Sequence, residues 1–242
     1  MIRIITILIG MLLFAYILFT SYFFKDVRRS DTCKSIEVVV KDSLEKHFVT
    51  EADLTSFLKR EKLYPVDKPM TEINTDKIEE ALLSNEMIAN VEAYKTPSGI
   101  IKLEVKQKMP ILRVISVHGN FYIDNKGTVM PVSNRYVAHV PVASGFIEKE
   151  QAMTDLYKFA LFLQEDKFWN AQIEQIYIHS DGEVDLIPRV GDHRIVLGAL
   201  DGFKGKLDNL RLFYDKVVPK MGWEKYSIIN LKYKNQIVCT KR

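Results

Sequence analysis

Histidine and cysteine are scarce in this chain, which counts against a metal centre. The five histidines are scattered, and none lies in an H-x-x-x-H or a Cys/His ligand spacing. The two cysteines, Cys33 and Cys239, lie at opposite ends of the part that follows an N-terminal apolar run. A disulfide needs Cα atoms within about 7 Å of each other, so we expect both thiols to stay unpaired. The sequence therefore predicts no metal, no cofactor and no disulfide.

Motifs of the common catalytic classes are missing as well. There is no G-x-S-x-G elbow, and no cysteine stands in a nucleophile motif. Gly198, Gly202 and Gly205 form a loose cluster without a following Gly-Lys-Ser/Thr, so they are more typical of a connection between a strand and a helix than of a phosphate cradle. The net charge of +3 gives no reason to expect nucleic acid. These absences favour a non-catalytic binding module, with an unrecognised hydrolase as the enzyme alternative.

The chain does have one long apolar run, at its N-terminus. Residues 4–24 carry no charge and consist mainly of Ile, Leu, Phe, Tyr and Met. About 20 such residues, at a rise of about 1.5 Å each, span a hydrocarbon core of about 30 Å. A cleaved signal peptide usually has a shorter core and a small-x-small site, and residues 21–25 offer no such site. We therefore predict a retained transmembrane helix over residues 4–24, after a tail of residues 1–3.

The charges that flank this run leave its orientation open. Arg3 and the α-amino group precede it, whereas Lys25, Arg28 and Arg29 follow it. A strict positive-inside count would place the following domain in the cytoplasm, but the rule weakens when that domain is long. Charge alone does not decide the orientation.

After a polar linker over residues 25–35, hydrophobic periodicity predicts a β-α-α-β-β module over residues 36–109. Residues 36–40 alternate like a half-buried strand, and Thr50 and Asn74 each precede a helical pattern. Residues 89–95 are extended, and residues 101–105 give the clearest strand pattern of the chain. A turn cluster at residues 96–99 separates these two strands.

The remaining residues, 110–242, predict a second, strand-rich domain with a mixed or antiparallel sheet and two helices. The fold class is therefore α+β. The expected strands cover residues 121–123, 173–179, 183–187, 193–197, 226–233 and 236–240. The expected helices cover residues 152–164 and 203–218, and the second is expected to stop at Pro219.

The last stretch of the chain combines β-forming residues with basic ones. Residues 231–242 contain Lys232, Lys234, Lys241 and Arg242 and no acidic residue. One interpretation is a terminal strand that edge lysines keep soluble. The other is an open sheet edge that pairs with a strand of a partner. The residues alone favour neither.

The order of these parts matches a known family. The stretches that carry the likeness are residues 87–93, 96–99, 103–110, 122–127, 140–145, 194–198, 206–213 and 229–233. Together they resemble FtsQ/DivIB, a family of bacterial cell-division proteins, and the first module resembles a POTRA domain. Pro110 is similar to the end of the family's E-R-x-P junction, although Lys106, Gln107 and Lys108 depart from its acidic-basic pair. The resemblance covers the whole chain.

The resemblance implies a non-enzymatic scaffold. Such a scaffold binds two small bitopic proteins, FtsL and FtsB, and helps to control septal peptidoglycan synthesis together with the septal synthase complex. It implies a cytoplasmic N-terminus, a single pass through the cell inner membrane, and periplasmic domains at the division septum. It also implies that the end of the C-terminal domain receives a strand of FtsB. The matching candidate residues are Lys232, Tyr233, Asn235, Gln236, Ile237, Val238 and Thr240. The alternatives are a membrane-anchored periplasmic cell-wall enzyme and a signalling anchor.

Overall fold

The first element of the chain is a helix, α1 (Ile2–Phe23). The computed structural model describes residues 2–23, 32–41 and 48–242, with the side chains of α1 given from Ile9 to Thr20. The described side chains from Ile9 to Phe19 are exposed. None of the helices in the described part of the chain combines the length and the hydropathy that a bilayer crossing demands. The transmembrane span over residues 4–24 stays a prediction, and most of the predicted linker lies outside the described residues.

Contacts divide the chain into two units, and the first comprises residues 1–43 and 49–106. After α1 it contains the predicted β-α-α-β-β order, which is confirmed. The elements are β1 (Ser35–Lys41), α2 (Glu51–Arg60), α3 (Thr75–Leu83), β2 (Ile88–Lys95) and β3 (Ile100–Gln107). The sheet has the order β1-β3-β2, and β1 runs parallel to β3.

The two helices of this unit begin where the sequence predicts. Thr50 caps α2 in a capping box, because its hydroxyl accepts from the Asp53 N–H while the Asp53 carboxylate accepts from the Thr50 N–H. The Asn74 side chain accepts from the Lys77 N–H at 3.0 Å and caps α3. Each helix buries two side chains one turn apart, and the inward-facing side chains of β3 complete the core. These buried residues are Leu54, Leu58, Ile78, Leu82, Ile101, Leu103 and Val105.

The second unit comprises residues 44–48 and 107–242 and contains a nine-stranded mixed sheet. Its order is β12-β11-β10-β9-β8-β7-β4-β5-β6, with parallel pairing at β4–β7, β7–β8 and β10–β11. The strands are β4 (Pro110–Ser116), β5 (Gly119–Asp124), β6 (Val129–Pro131), β7 (Val142–Gly145), β8 (Ile173–Ile178), β9 (Val184–Pro188), β10 (Arg194–Gly198), β11 (Tyr226–Asn230) and β12 (Val238–Lys241).

The helices of this unit differ from the prediction in two places. The helix expected over residues 152–164 is split at Thr154, whose backbone leaves the helical region with φ −114° and ψ −93°. The helix expected to stop at Pro219 ends earlier, and Pro219 lies in the first turn of a short following helix, where its missing N–H is not needed. The elements are α4 (Lys149–Met153), α5 (Asp155–Glu165), α6 (Lys167–Gln172), α7 (Phe203–Lys216), α8 (Val218–Met221) and a 3-10 turn, Trp223–Lys225.

Strand register decides which side chains of the nine-stranded sheet enter its core. One register row is apolar throughout and packs in the same cluster as the inner faces of α5 and α7. Its members are Val114, Ala143, Ile176, Leu186, Ile195, Ile229 and Cys239. Successive side chains of a strand point to opposite faces, so the next row lies on the other face of the sheet. That row consists of Ile115, Ser144, Tyr177, Asp185, Val196, Asn230 and Val238.

Candidate protein-binding edge

The last strand, β12, lies at one edge of the nine-stranded sheet. In the part of the chain that the structure describes, β12 has a strand neighbour on one side only, the antiparallel β11. Val238 pairs with Asn230, and Lys241 pairs with Tyr226. The predicted strand over residues 236–240 is therefore shifted, since the observed strand covers Val238–Lys241. Its outer side presents main-chain groups that a further strand can use.

The two faces of β12 differ in character. The Cys239 side chain packs against the core, together with Ile237 just before the strand. Val238, which is 44% exposed, and Thr240 lie on the opposite face. Burial raises the pKa of the Cys239 thiol, and both Cys239 and the buried Cys33 are free thiols. Ile237 is partly buried against the core, and its role as a partner contact stays a prediction.

The chain reaches β12 through a turn over residues 231–237, which the sequence had assigned mostly to strands. The predicted strand over residues 226–233 stops at Asn230, because the Asn230 side chain accepts the Lys232 N–H at 2.9 Å and bends the backbone. The Leu231 N–H still donates to the Val196 carbonyl of β10, at 2.9 Å. Asn235 takes a left-handed conformation with φ 59°. Five of the candidate residues therefore lie in this turn: Lys232, Tyr233, Asn235, Gln236 and Ile237.

Two residues distant in the sequence lie against the Lys232 side chain. Its ammonium donates to the Glu183 carboxylate, which precedes β9, and this hydrogen bond raises the pKa of Lys232. Gly198, at the end of β10, has φ +75°, and a Cβ there would lie 2.9 Å from Cγ of Lys232. The prediction that this glycine shapes the exit of a strand towards a helix is confirmed. Sequence reasoning missed Glu183, which is 49 positions away from Lys232 and gives no local signal.

A groove of about 910 Å³ lies beside this turn. It runs between the turn, the loop that follows β10 and the first half of α7. The Lys206 ammonium donates to the Ala199 carbonyl at 2.7 Å and so fixes that loop. The charged and aromatic side chains of the lining are Glu183, Asp201, Lys206, Asp208, Lys232, Tyr233 and Lys234.

Tyr233 is the largest exposed side chain of the turn. Half of its surface, 51%, is exposed, and it lines the groove. The structure therefore brings Lys232 and Tyr233 together beside the groove, whereas Val238 and Thr240 lie on the edge strand that follows. In the described ranges, no group of three His, Cys, Asp or Glu side chains could hold a metal ion.

Comparison with known proteins identifies the family. A family model described as FtsQ/DivIB, C-terminal related, matches residues 109–240, and one described as a POTRA-like domain matches residues 31–106. No curated protein sequence matches the chain. One similar solved structure is the major extracytoplasmic domain of the trans isomer of the bacterial cell-division protein DivIB from Geobacillus stearothermophilus. Its sequence is 13% identical to this one. The match covers 47% of this chain and 96% of the DivIB chain, with a TM-score of 0.34. Since the first model matches more than half of the chain, this chain belongs to the FtsQ/DivIB family of bacterial cell-division proteins.

Proposed function

We propose that this protein is a non-catalytic scaffold of the division machinery that binds FtsL- and FtsB-type bitopic proteins and helps to control septal peptidoglycan synthesis. The observation that carries the proposal is the edge strand β12, which follows an exposed Tyr233 beside a groove. The FtsB-type partner adds a strand to β12, and its side chains contact the turn that precedes it.

The two edges of the sheet differ in their capacity to pair. The opposite edge strand, β6, is three residues long and ends in Pro131, which has no N–H to donate. Short strands and prolines are common devices that keep an edge closed. Strand β12 contains no proline and offers the main-chain groups of Val238–Lys241. Strand addition is therefore expected at β12 rather than at β6.

The charge around β12 favours an acidic partner segment. Lys232, Lys234, Lys241 and Arg242 lie in or beside the turn and the strand. Lys232 and Arg242 are paired with carboxylates of this chain, so the attraction comes mainly from Lys234 and Lys241. Basic residues attract an acidic segment and speed its association. The same charges oppose the pairing of β12 with a second copy of itself.

We also propose that α1 anchors the protein in the cell inner membrane, with its N-terminus in the cytoplasm and both units in the periplasm at the septum. The uncharged run over residues 4–24 supports the anchor, as do the exposed apolar side chains from Ile9 to Phe19. A reporter enzyme that folds only outside the cytoplasm, fused after Arg242, should be active. An active reporter of the cytoplasmic kind at the same position would contradict this orientation.

Capture of the partner pair tests the proposal. The full-length wild type should capture the FtsL/FtsB-type pair of the same cells, and Tyr233→Ala should weaken capture about 30-fold, the loss expected when a buried interface tyrosine worth about 2 kcal/mol is truncated. Tyr94→Ala is the matched control, because Tyr94 is a 43% exposed tyrosine of the first unit. Equal capture by all three proteins, each with an unchanged melting temperature, would refute this edge as the partner site.

A further inference from the structure

Arg242, the residue after β12, makes more polar contacts than any other side chain of the binding edge. Its Nη1 donates to Oε2 of Glu224 at 2.8 Å, and its Nη2 donates to Oδ2 of Asp192 at 2.5 Å. The same Nη2 donates to the Asp192 carbonyl, and the Arg242 N–H donates to the Lys225 carbonyl at 3.3 Å. We call these contacts of Arg242 with Asp192, Glu224 and Lys225 the Arg242 clamp.

The clamp joins three segments that are far apart in the sequence. Asp192 lies in the turn between β9 and β10, and Glu224 lies in the 3-10 turn that leads into β11. Beneath the clamp, His193 lies nearly parallel to the Trp223 ring, with an interplanar angle of 15°. Both acidic partners of Arg242 are therefore adjacent to residues that pack in or against the core of the second unit.

The clamp matters because the register of β12 is weakly specified by the strand itself. The strand has four residues, and its pairing with β11 shifts between Tyr226 and Ile228, where Ser227 is the extra residue. Within the strand only Cys239 faces the core, with Ile237 just before it, so a slip by one residue would turn both outward and bring Val238 inward. Both side chains are only partly buried, so packing selects this register less strongly than a fully buried pair would.

We propose that Arg242 is a positioning residue that fixes the register of β12 and so presents its outer edge for strand addition; this inference rests on the proposed function. The clamp attaches the far end of the strand to two turns, while Lys232 and Glu183 hold the turn before it. The strand between these two attachments keeps its hydrogen-bonding groups in one register. The partner then meets an ordered edge.

The strength of the clamp depends on salt. Asp192 is 87% exposed, Glu224 73% and Arg242 38%. Exposed ion pairs are individually weak and are screened at high ionic strength, where the Debye length at 1 M salt is about 3 Å. A clamp of this kind should therefore hold the strand in low salt and release it in 1 M NaCl, whereas apolar packing would not be weakened by the salt.

Amide hydrogen exchange of the full-length chain in detergent micelles tests the inference without any partner. In low salt, the amide hydrogens of β12 should exchange roughly fivefold faster in Arg242→Ala than in the wild type, because the variant loses two exposed ion pairs. Lys241→Ala, which removes a neighbouring positive charge outside the clamp, should exchange like the wild type. Arg242→Lys should fall between them, because an ammonium cannot reproduce the two-sided guanidinium contact. The differences should vanish in 1 M NaCl.

Each outcome decides the inference. Unchanged exchange in Arg242→Ala, or a difference that persists in 1 M NaCl, would overturn it. In parallel, Arg242→Ala should capture the FtsL/FtsB-type pair less well in low salt than Lys220→Ala, which removes an exposed positive charge on α8, and equal capture would overturn the positioning role. If the wild type itself captures nothing, the proposed function fails, whereas the exchange comparison still decides whether the clamp holds β12.

Discussion

His193 and Tyr214 form a buried polar pair in the core of the second unit. The ring Nε2 of His193 lies 2.7 Å from the Tyr214 hydroxyl, and His193 is only 5% exposed. Burial lowers the pKa of His193 below its ordinary 6.5, and the nearby Arg242 guanidinium adds to this effect. Burial likewise raises the pKa of Tyr214 well above 10.0. The folded protein therefore keeps both groups neutral.

At the residue scale, this pair predicts a loss of stability in acid. The unfolded chain takes up a proton on His193 near pH 6.5, whereas the folded chain does so at a lower pH. The contribution of the neutral His193 to the free energy of unfolding is therefore fully present above about pH 6.5. It is lost as the pH falls through the lowered pKa. Chemical denaturation from pH 7.5 to 5.0 should show a smaller pH dependence in His193→Gln, whose amide can still bond Tyr214, than in the wild type.

The matched control for this prediction is His118→Gln, since His118 is an exposed histidine beside Glu148. It should keep the wild-type pH dependence. If His193→Gln and the wild type lose the same free energy of unfolding over this range, His193 does not contribute as described.

Roles that depend on contacts between residues far apart in the sequence could not be predicted from local sequence patterns. Helix starts were predicted at Thr50 and near Asn74, because a cap and the backbone that it bonds lie within three positions. Glu183 is 49 positions from Lys232, Asp192 is 50 from Arg242, and Tyr214 is 21 from His193. Only the pairing of strands brings these residues together.

At the element scale, local patterns predicted long, amphipathic elements better than short or turn-bounded ones. The strands around residues 101–105 and 173–179 were predicted because apolar and polar side chains alternate in these stretches. Strand β7 has four residues and only Val142 and Ala143 are apolar, so it owes its place to parallel neighbours on both sides. The end of β11 was missed, because the side-chain turn of Asn230 overrides the β-forming residues that follow.

Strand β12 provides the element-scale prediction. Thr240→Pro removes one N–H from a four-residue strand and should weaken capture of the FtsL/FtsB-type pair at least tenfold, because a ladder bond is lost whichever side the N–H faces. Thr240→Val keeps the N–H and the shape of the side chain, and should capture the pair like the wild type. Binding should be measured with full-length proteins, together with their melting temperatures.

Equal capture by Thr240→Pro and Thr240→Val would mean that the main chain of β12 does not pair with the partner. A loss in both variants would instead assign the contact to the Thr240 hydroxyl. Only a loss confined to the proline variant agrees with strand addition at this edge.

At the scale of the whole molecule, the order of parts carried more information than any single motif. The β-α-α-β-β order and the strand-rich second domain were predicted from periodicity, and the family followed from short stretches taken in sequence. The nine-strand order could not be predicted, because β7 is inserted between β4 and β8 by long-range parallel pairing. The candidate site was predicted as a stretch of chain, but not its division into a turn, a groove wall and an edge strand.

We propose that this member of the FtsQ/DivIB family acts in division by binding partners at the β12 edge. The most direct measurement is to deplete the protein from its own cells, re-express wild type or Tyr233→Ala at equal levels, and measure cell length by microscopy. We expect long filaments on depletion, rescue by the wild type and poor rescue by Tyr233→Ala. Lysis without filamentation, which a cell-wall enzyme would give, or full rescue by Tyr233→Ala would contradict it.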